Sequence, residues 1–125
     1  MILDTNALSA AAEEDAAVLG ILADARELAL PVVVIGEYRY GIARSRRASI
    51  YRQWLDKLIE DCRVLDVSNQ TTHHYATIAV ELRQAGRPIP TNDIWIAALC
   101  RQHSLPVLSR DLHFDTIAGV KRLSW

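Results

Sequence analysis

The chain is predicted to fold as an α/β domain with a central, mostly parallel sheet of four to five short strands flanked by helices. Three observations predict it. Short Val-, Leu- and Ile-rich runs alternate with longer stretches of helical periodicity. Half of the residues are hydrophobic, with a single Phe, and Ala, Leu, Ile and Val dominate, which suits a helix-rich layered protein better than a β-sandwich. No Gly/Ser/Pro linker, repeat or low-complexity tract divides the 125 residues, a length that buries a core in one domain without staples.

Met1-Ile2-Leu3 reads as the first strand, ending at Asp4. From there the Ala-rich stretch to Arg26 carries Val18, Leu19, Ile21, Leu22 and Ala25 at helical spacing. Leu28-Ala29-Leu30 forms a short strand. The stretch from Pro31 to Arg46 admits two readings. Val32 to Ile35 favour a strand by propensity, whereas Ile35, Tyr38 and Ile42 fit a helix with Pro31 as an early residue. The helix is preferred, starting near Val33 with Glu37 about one turn in. Ala48 to Cys62 is amphipathic, with Ile50, Trp54, Leu55, Leu58 and Ile59 on the apolar side.

Val64-Leu65 is the next strand. Ser68 caps a helix through Ala85 that Gly86 stops, and Pro88-Ile89-Pro90 is extended. Thr91 or Asn92 caps a helix over Asp93–His103. Residues 106–109 form a strand, residues 110–119 a loop with a short helix, and residues 120–123 the last strand. Strands joined by helical crossovers run parallel, so their carboxyl ends share one edge.

Four acids fall at that edge: Asp4 after the first strand, Glu37 early in a helix, Asp93 opening another and Asp111 beyond a later strand. Ligands of open α/β sheets bind outside the carboxyl ends of the strands. Carboxylates beside core-bound strands lose hydration unless something offsets their charge, and a divalent cation does so. Oxygen donors of this kind suit Mg²⁺ or Mn²⁺. Thr5, Asn6, Asn92 and Ser109 supply neutral groups to orient the carboxylates, and Asp115 is an auxiliary ligand four residues beyond Asp111. A cation held here would activate water against a phosphodiester.

The remaining polar residues have structural readings. Asp4 and Asp93 also suit a turn and a helix cap, and Asn92 is at least as good a cap as a catalytic group. Arg39, Arg44, Arg46, Arg47 and Arg52 are the only basic concentration; a solvated helix end is its usual meaning, contact with an RNA backbone or an antitoxin is the alternative, and Arg87 and Arg110 lie closer in sequence to the acids. His73 and His74 point about 100° apart on one helix. His103 closes a helix, and His113, two residues after Asp111, has a surface loop as its commoner reading and an approach to the site as the other. Trp54 and Trp95 are core or interface anchors, and Trp125 packs on the last strand. Cys62 and Cys100 lack metal or redox spacing and read as two buried thiols of a reducing compartment. Net charge of −1 carries no global nucleic-acid signature, although a bound cation reverses the sign at a carboxylate site. Without a leader-like start or a spanning apolar run, the expectation is a cytoplasmic protein with no membrane partner.

Read together, ILDTN at 2–6, E-x-x-x-G from Glu37 to Gly41, GRPIPTNDIWIAA at 86–98 and SRDLHF at 109–114 resemble the PIN-domain nucleases, specifically the VapC-type toxins of toxin–antitoxin pairs. The third segment is the most specific. Ser109 stands where the family usually has Thr, which preserves the hydroxyl. The resemblance spans essentially the whole chain and implies a PIN-like fold over residues 1–125. By motif, Asp4, Glu37, Asp93 and Asp111 would be the metal-binding acids, with Thr5, Asn6 and Ser109 in support. It further implies a Mg²⁺- or Mn²⁺-dependent endoribonuclease, a homodimer, an RNA substrate and inhibition by a cognate antitoxin. The alternative is a catalytically silent module that keeps the fold and binds RNA or a partner. Aspartyl phosphotransfer is poorly served, since Asn6 stands where a second Asp would be needed.

Overall fold

A computed structural model describes residues 1–125. Five strands, β1 (Ile2–Leu3), β2 (Ala29–Pro31), β3 (Arg63–Leu65), β4 (Val107–Leu108) and β5 (Arg122–Leu123), form one sheet in the order β3-β2-β1-β4-β5. All four pairings are parallel, with Ile2 opposite both Ala29 and Val107. The three inner strands are buried along their whole length, and the edge strands β3 and β5 are partly open. Two or three residues per strand suffice because each inner one is covered on both faces.

The helices are α1 (Thr5–Ala12), α2 (Ala16–Asp24), α3 (Val32–Ile42), α4 (Ala48–Asp61), α5 (Asn69–Gln84) and α6 (Thr91–His103), with a 3₁₀ turn at Leu112–Thr116. From β1 the chain steps outward to β2 and β3, then returns to lay β4 on the other side of β1. The reversal puts a topological switch point between β1 and β4, where a crevice opens at the carboxyl edge. Asp4 follows one of these strands and Ser109 the other.

Several sequence expectations change. The stretch to Arg26 is two helices. Glu14 adopts a left-handed φ of 60°, and the Asp15 N–H returns to the Ala10 carbonyl at 2.9 Å, closing α1. The Asp15 carboxylate then accepts from the N–H groups of Ala17 and Val18 and opens α2. Leu19 is consequently exposed rather than part of a continuous apolar face. In α4, Ile50 is 57% exposed, and the inward face runs instead through Tyr51, Trp54, Leu55, Leu58 and Ile59. Pro31 ends β2 and precedes α3, which begins at Val32. Neither Thr91 nor Asn92 caps α6: Pro90 precedes a helix that already includes both, and no side chain caps it. Of the two thiols only Cys100 is buried; Cys62 is half-buried.

Ser68 and Gly86 behave as read. Ser68 and Thr71 form a reciprocal capping box, and Gly86 takes a φ of 64° after α5. The α5 helix packs on α6, and α1 packs on α2 and α3. Buried side chains from the inner strands and all six helices form one core, with Phe114 of the 3₁₀ turn closing it.

Candidate active site

Asp4 is the buried charge of the molecule, 5% exposed, and three neighbours satisfy it. Its Oδ1 accepts the Thr5 N–H at 2.7 Å, and its Oδ2 accepts from Asn6 Nδ2 at 2.8 Å and Ser109 Oγ at 2.7 Å. These bonds follow from local structure: Asp4 caps α1, so Thr5 and Asn6 are its first turn, while β4 pairing with β1 brings Ser109 alongside. The Ser109 hydroxyl is itself fully used. It donates to Asp4 and accepts from the Asp111 N–H at 2.9 Å and Asn6 Nδ2 at 3.1 Å. Asn6 completes the lattice by accepting the Arg110 N–H at 3.1 Å.

The other acids gather around this post. Asp93, in the first turn of α6, is half-buried and its side chain is 14% exposed. Asp111 caps the 3₁₀ turn by accepting the His113 N–H at 2.9 Å. That turn brings the His113 ring back, with Nδ1 at 2.8 Å from Asp93 Oδ2 and 3.0 Å from Asp111 Oδ1. A ring N–H in this position donates to a carboxylate. Glu37 comes from the second turn of α3, is exposed, and accepts from Thr5 Oγ1 at 2.8 Å.

Burial is the first cause pushing the Asp4 carboxyl above its usual range; the hydrogen bonds from Ser109 and Thr5 oppose it, and the charges of Glu37 and Asp111 add to it. Burial likewise raises Asp93, against its bond to His113, and repulsion from Asp111 and Asp4 adds to the shift. His113 is raised chiefly by its bond to Asp93. The acids therefore sit close enough to oppose one another's ionisation.

This arrangement fits a divalent cation. Single ligand atoms of Asp93, Asp111 and His113 lie within 4.8 Å of one another. Carboxylate oxygens suit Mg²⁺ and Mn²⁺, whereas imidazole nitrogen is a less natural donor to either, so His113 fits better as the group orienting Asp93.

Two predicted residues stand apart. Asn92 is exposed and makes no side-chain hydrogen bond, because the position before Asp93 on a helix is turned about 100° away. Asp115 is exposed and spends both oxygens on Arg122, each at 2.8 Å. Conversely, His113 takes the less common of its two readings and reaches the acids, as its spacing of two from Asp111 allows, rather than standing as a surface loop residue. The largest surface depression lies elsewhere, around Met1, Ile21, Leu105 and Leu123, and includes none of the four acids.

A PIN domain family model matches residues 1–120. Ribonuclease VapC5 of Mycobacterium tuberculosis is 31% identical over 94 residues, covering 74% of this chain and 70% of that relative. Among solved structures, VapBC2 from Rickettsia felis bound to a DNA fragment from its promoter superposes with a TM-score of 0.87 at 25% identity, covering 99% of this chain and 97% of the other. FitAcB from Neisseria gonorrhoeae also superposes with a TM-score of 0.87, at 26% identity, covering 98% and 95%. With the carboxyl-edge acids and the parallel sheet, these likenesses lead to one statement of kinship: the chain belongs to the PIN-domain family, among the VapC-type ribonucleases.

Proposed function

We propose that this protein is a metal-dependent endoribonuclease that hydrolyses RNA phosphodiester bonds, the toxin of a toxin–antitoxin pair neutralised by a cognate antitoxin. The relatives' names as ribonucleases and as members of VapBC complexes support the class. The observation that carries the chemistry is Asp4: a carboxylate 5% exposed, ringed by neutral donors and set among other acids at the sheet's switch point. Nature rarely buries an unpaired charge without an ion to meet it.

In this reading Asp4, Glu37, Asp93 and Asp111 hold Mg²⁺ or Mn²⁺. When bound, such a cation supplies charge neutralisation and Lewis-acid activation for attack on a phosphodiester. Asn6 and Ser109 hold Asp4 in one orientation, Thr5 holds Glu37, and His113 holds Asp93. Glu37 is the only exposed acid of the four, and its Oε1 has no partner. That oxygen would orient an attacking water and take its proton as the new P–O bond forms, while the P–O bond to the leaving oxygen breaks and that oxygen takes a proton from solvent. Before the cation binds, the same cluster repels RNA phosphate and attracts a cationic side chain, which gives an antitoxin arginine a way to block it. In this reading the protein acts as a homodimer in the cytoplasm, as its kinship with VapC-type ribonucleases implies.

The test is inducible expression of wild type and Asp93→Asn with mapping of cellular RNA ends, alongside purified protein with Mg²⁺, Mn²⁺ or EDTA. Growth arrest and new ends with wild type alone, and cleavage lost in EDTA, are expected. Purified protein that binds RNA of several classes but cuts none with either metal would establish the silent binding module instead.

A further inference from the structure

Helix α3 carries more than Glu37. Tyr40, one turn on, is 85% exposed, the most open large hydrophobic side chain in the protein. Gly41 lies on the same face as Glu37, and a Cβ built there would meet nothing within 4 Å. An interior helical glycine is less stable than alanine, and here neither packing nor a positive φ requires it. Ala43 keeps helical dihedrals beyond the last helical residue, so Arg44 continues the line seven residues from Glu37, two turns further. Arg44 is exposed and makes no ion pair or side-chain hydrogen bond, and Arg46 behind it is equally free. The neighbouring arginines are committed: Arg39 to Asp56 at 3.2 Å and Arg47 to Tyr51.

We propose that the Glu37–Tyr40–Gly41–Arg44 face of α3 is the track along which single-stranded RNA leaves the acid centre, with Tyr40 stacking a base and Arg44 binding a phosphate. The proposal rests on the ribonuclease reading and names where the substrate lies. From Glu37 to Arg44 the helix rises about 10 Å, the length of about three stacked nucleotides. An exposed aromatic ring offers any base a stacking surface, bare backbone at Gly41 lets the strand approach, and an unpaired guanidinium meets its charge. A protein partner would call for an apolar face, whereas this one ends in free cations.

The test uses full-length protein carrying Asp93→Asn, with anisotropy of a fluorescein-labelled single-stranded oligoribonucleotide over a salt series. Cleavage kinetics are measured in the otherwise wild-type chain, and thermal melts monitor folding. Tyr40→Ala is expected to weaken binding about tenfold and Tyr40→Phe to retain it. Arg44→Gln should flatten the slope of log affinity against log salt by about 0.7. Gly41→Gln should raise KM several-fold with kcat within about twofold, while its melting temperature is unchanged or higher, a pattern misfolding does not produce. If wild type cleaves RNA and these variants bind and cleave it equally well, the track is overturned while the ribonuclease reading stands. Variants that lose antitoxin binding or self-association but not RNA affinity overturn it in favour of a protein interface. A wild type that neither cuts nor binds RNA removes both.

Discussion

Asp4 is ionised at a cost, because burial outweighs the hydrogen bonds that hold it and nearby acids add repulsion. Its folded-state pKa therefore lies above the ordinary 3.8, and Asp93 shifts the same way. Where the native state binds more protons than the unfolded chain, stability falls as pH rises. Here that window opens near the unfolded value and closes above the raised folded one. In EDTA, wild type should thus lose stability relative to Asp4→Asn as pH is raised from about 4 towards neutrality. Parallel denaturant melts of the two proteins read this difference, which also cancels the opposite contribution of the Glu81–Arg101 pair, whose carboxyl is lowered. His113 supplies a second prediction. His113→Gln should weaken apparent cation affinity about 10–100-fold, with cleavage largely restored by excess cation, as titration of activity against Mn²⁺ will show. If excess cation restores nothing, His113 does more than orient Asp93. ILDTN and SRD were legible as polar punctuation after strands. The role of His113 was not, because it depends on a 3₁₀ turn that Asp111 itself caps. Asn92 neither caps α6, which already includes it, nor joins the acids, because helical rotation turns it away from Asp93.

At the level of elements, periodicity located every strand and nearly every helix, and it failed where a short polar signal competes with a long apolar one. Glu13-Glu14-Asp15 breaks the first helical stretch because Asp15 is a better cap than a helix interior residue. The α4 face keeps Trp54, Leu55, Leu58 and Ile59 as read and takes Tyr51 in place of Ile50, which is 57% exposed. Local propensity favoured a strand at 32–35, yet β2 ends at Pro31 and those residues enter a helix, so tertiary context overrides β-branching there. The Ser68 capping box is far from the acids in sequence and tests this level alone. Ser68→Ala should cost about 1 kcal/mol in thermal or urea denaturation and leave RNA cleavage unchanged. A loss well below that would mean that Thr71, buried and bonded to Gln102 at 2.6 Å, anchors the helix without the cap.

For the molecule as a whole, the proposed cation site would couple folding to ligand binding. A divalent cation that binds only the native state stabilises it by about 2.7 kcal/mol at a hundredfold excess over Kd. Mg²⁺ or Mn²⁺ should therefore raise the melting temperature of wild type at neutral pH and leave that of an Asp4→Asn, Asp93→Asn double variant unmoved. Equal shifts in both proteins would place the cation elsewhere. The chain's own residue order settles the kinds of element, the caps that bound most of them, and the placing of acids and hydroxyls after strands, because periodicity and capping are local physics. Which acids meet is another matter. Ser109 reaches Asp4 across 105 residues, a contact that exists only because β4 lies beside β1 rather than beside β3. Strand order is a property of non-local pairing and burial, and no local stretch of sequence carries it. Tertiary structure therefore brought the His113 ring to Asp93 on α6 and tied Asp115 to Arg122 of β5, whereas the exposure of Asn92 follows from helix rotation alone.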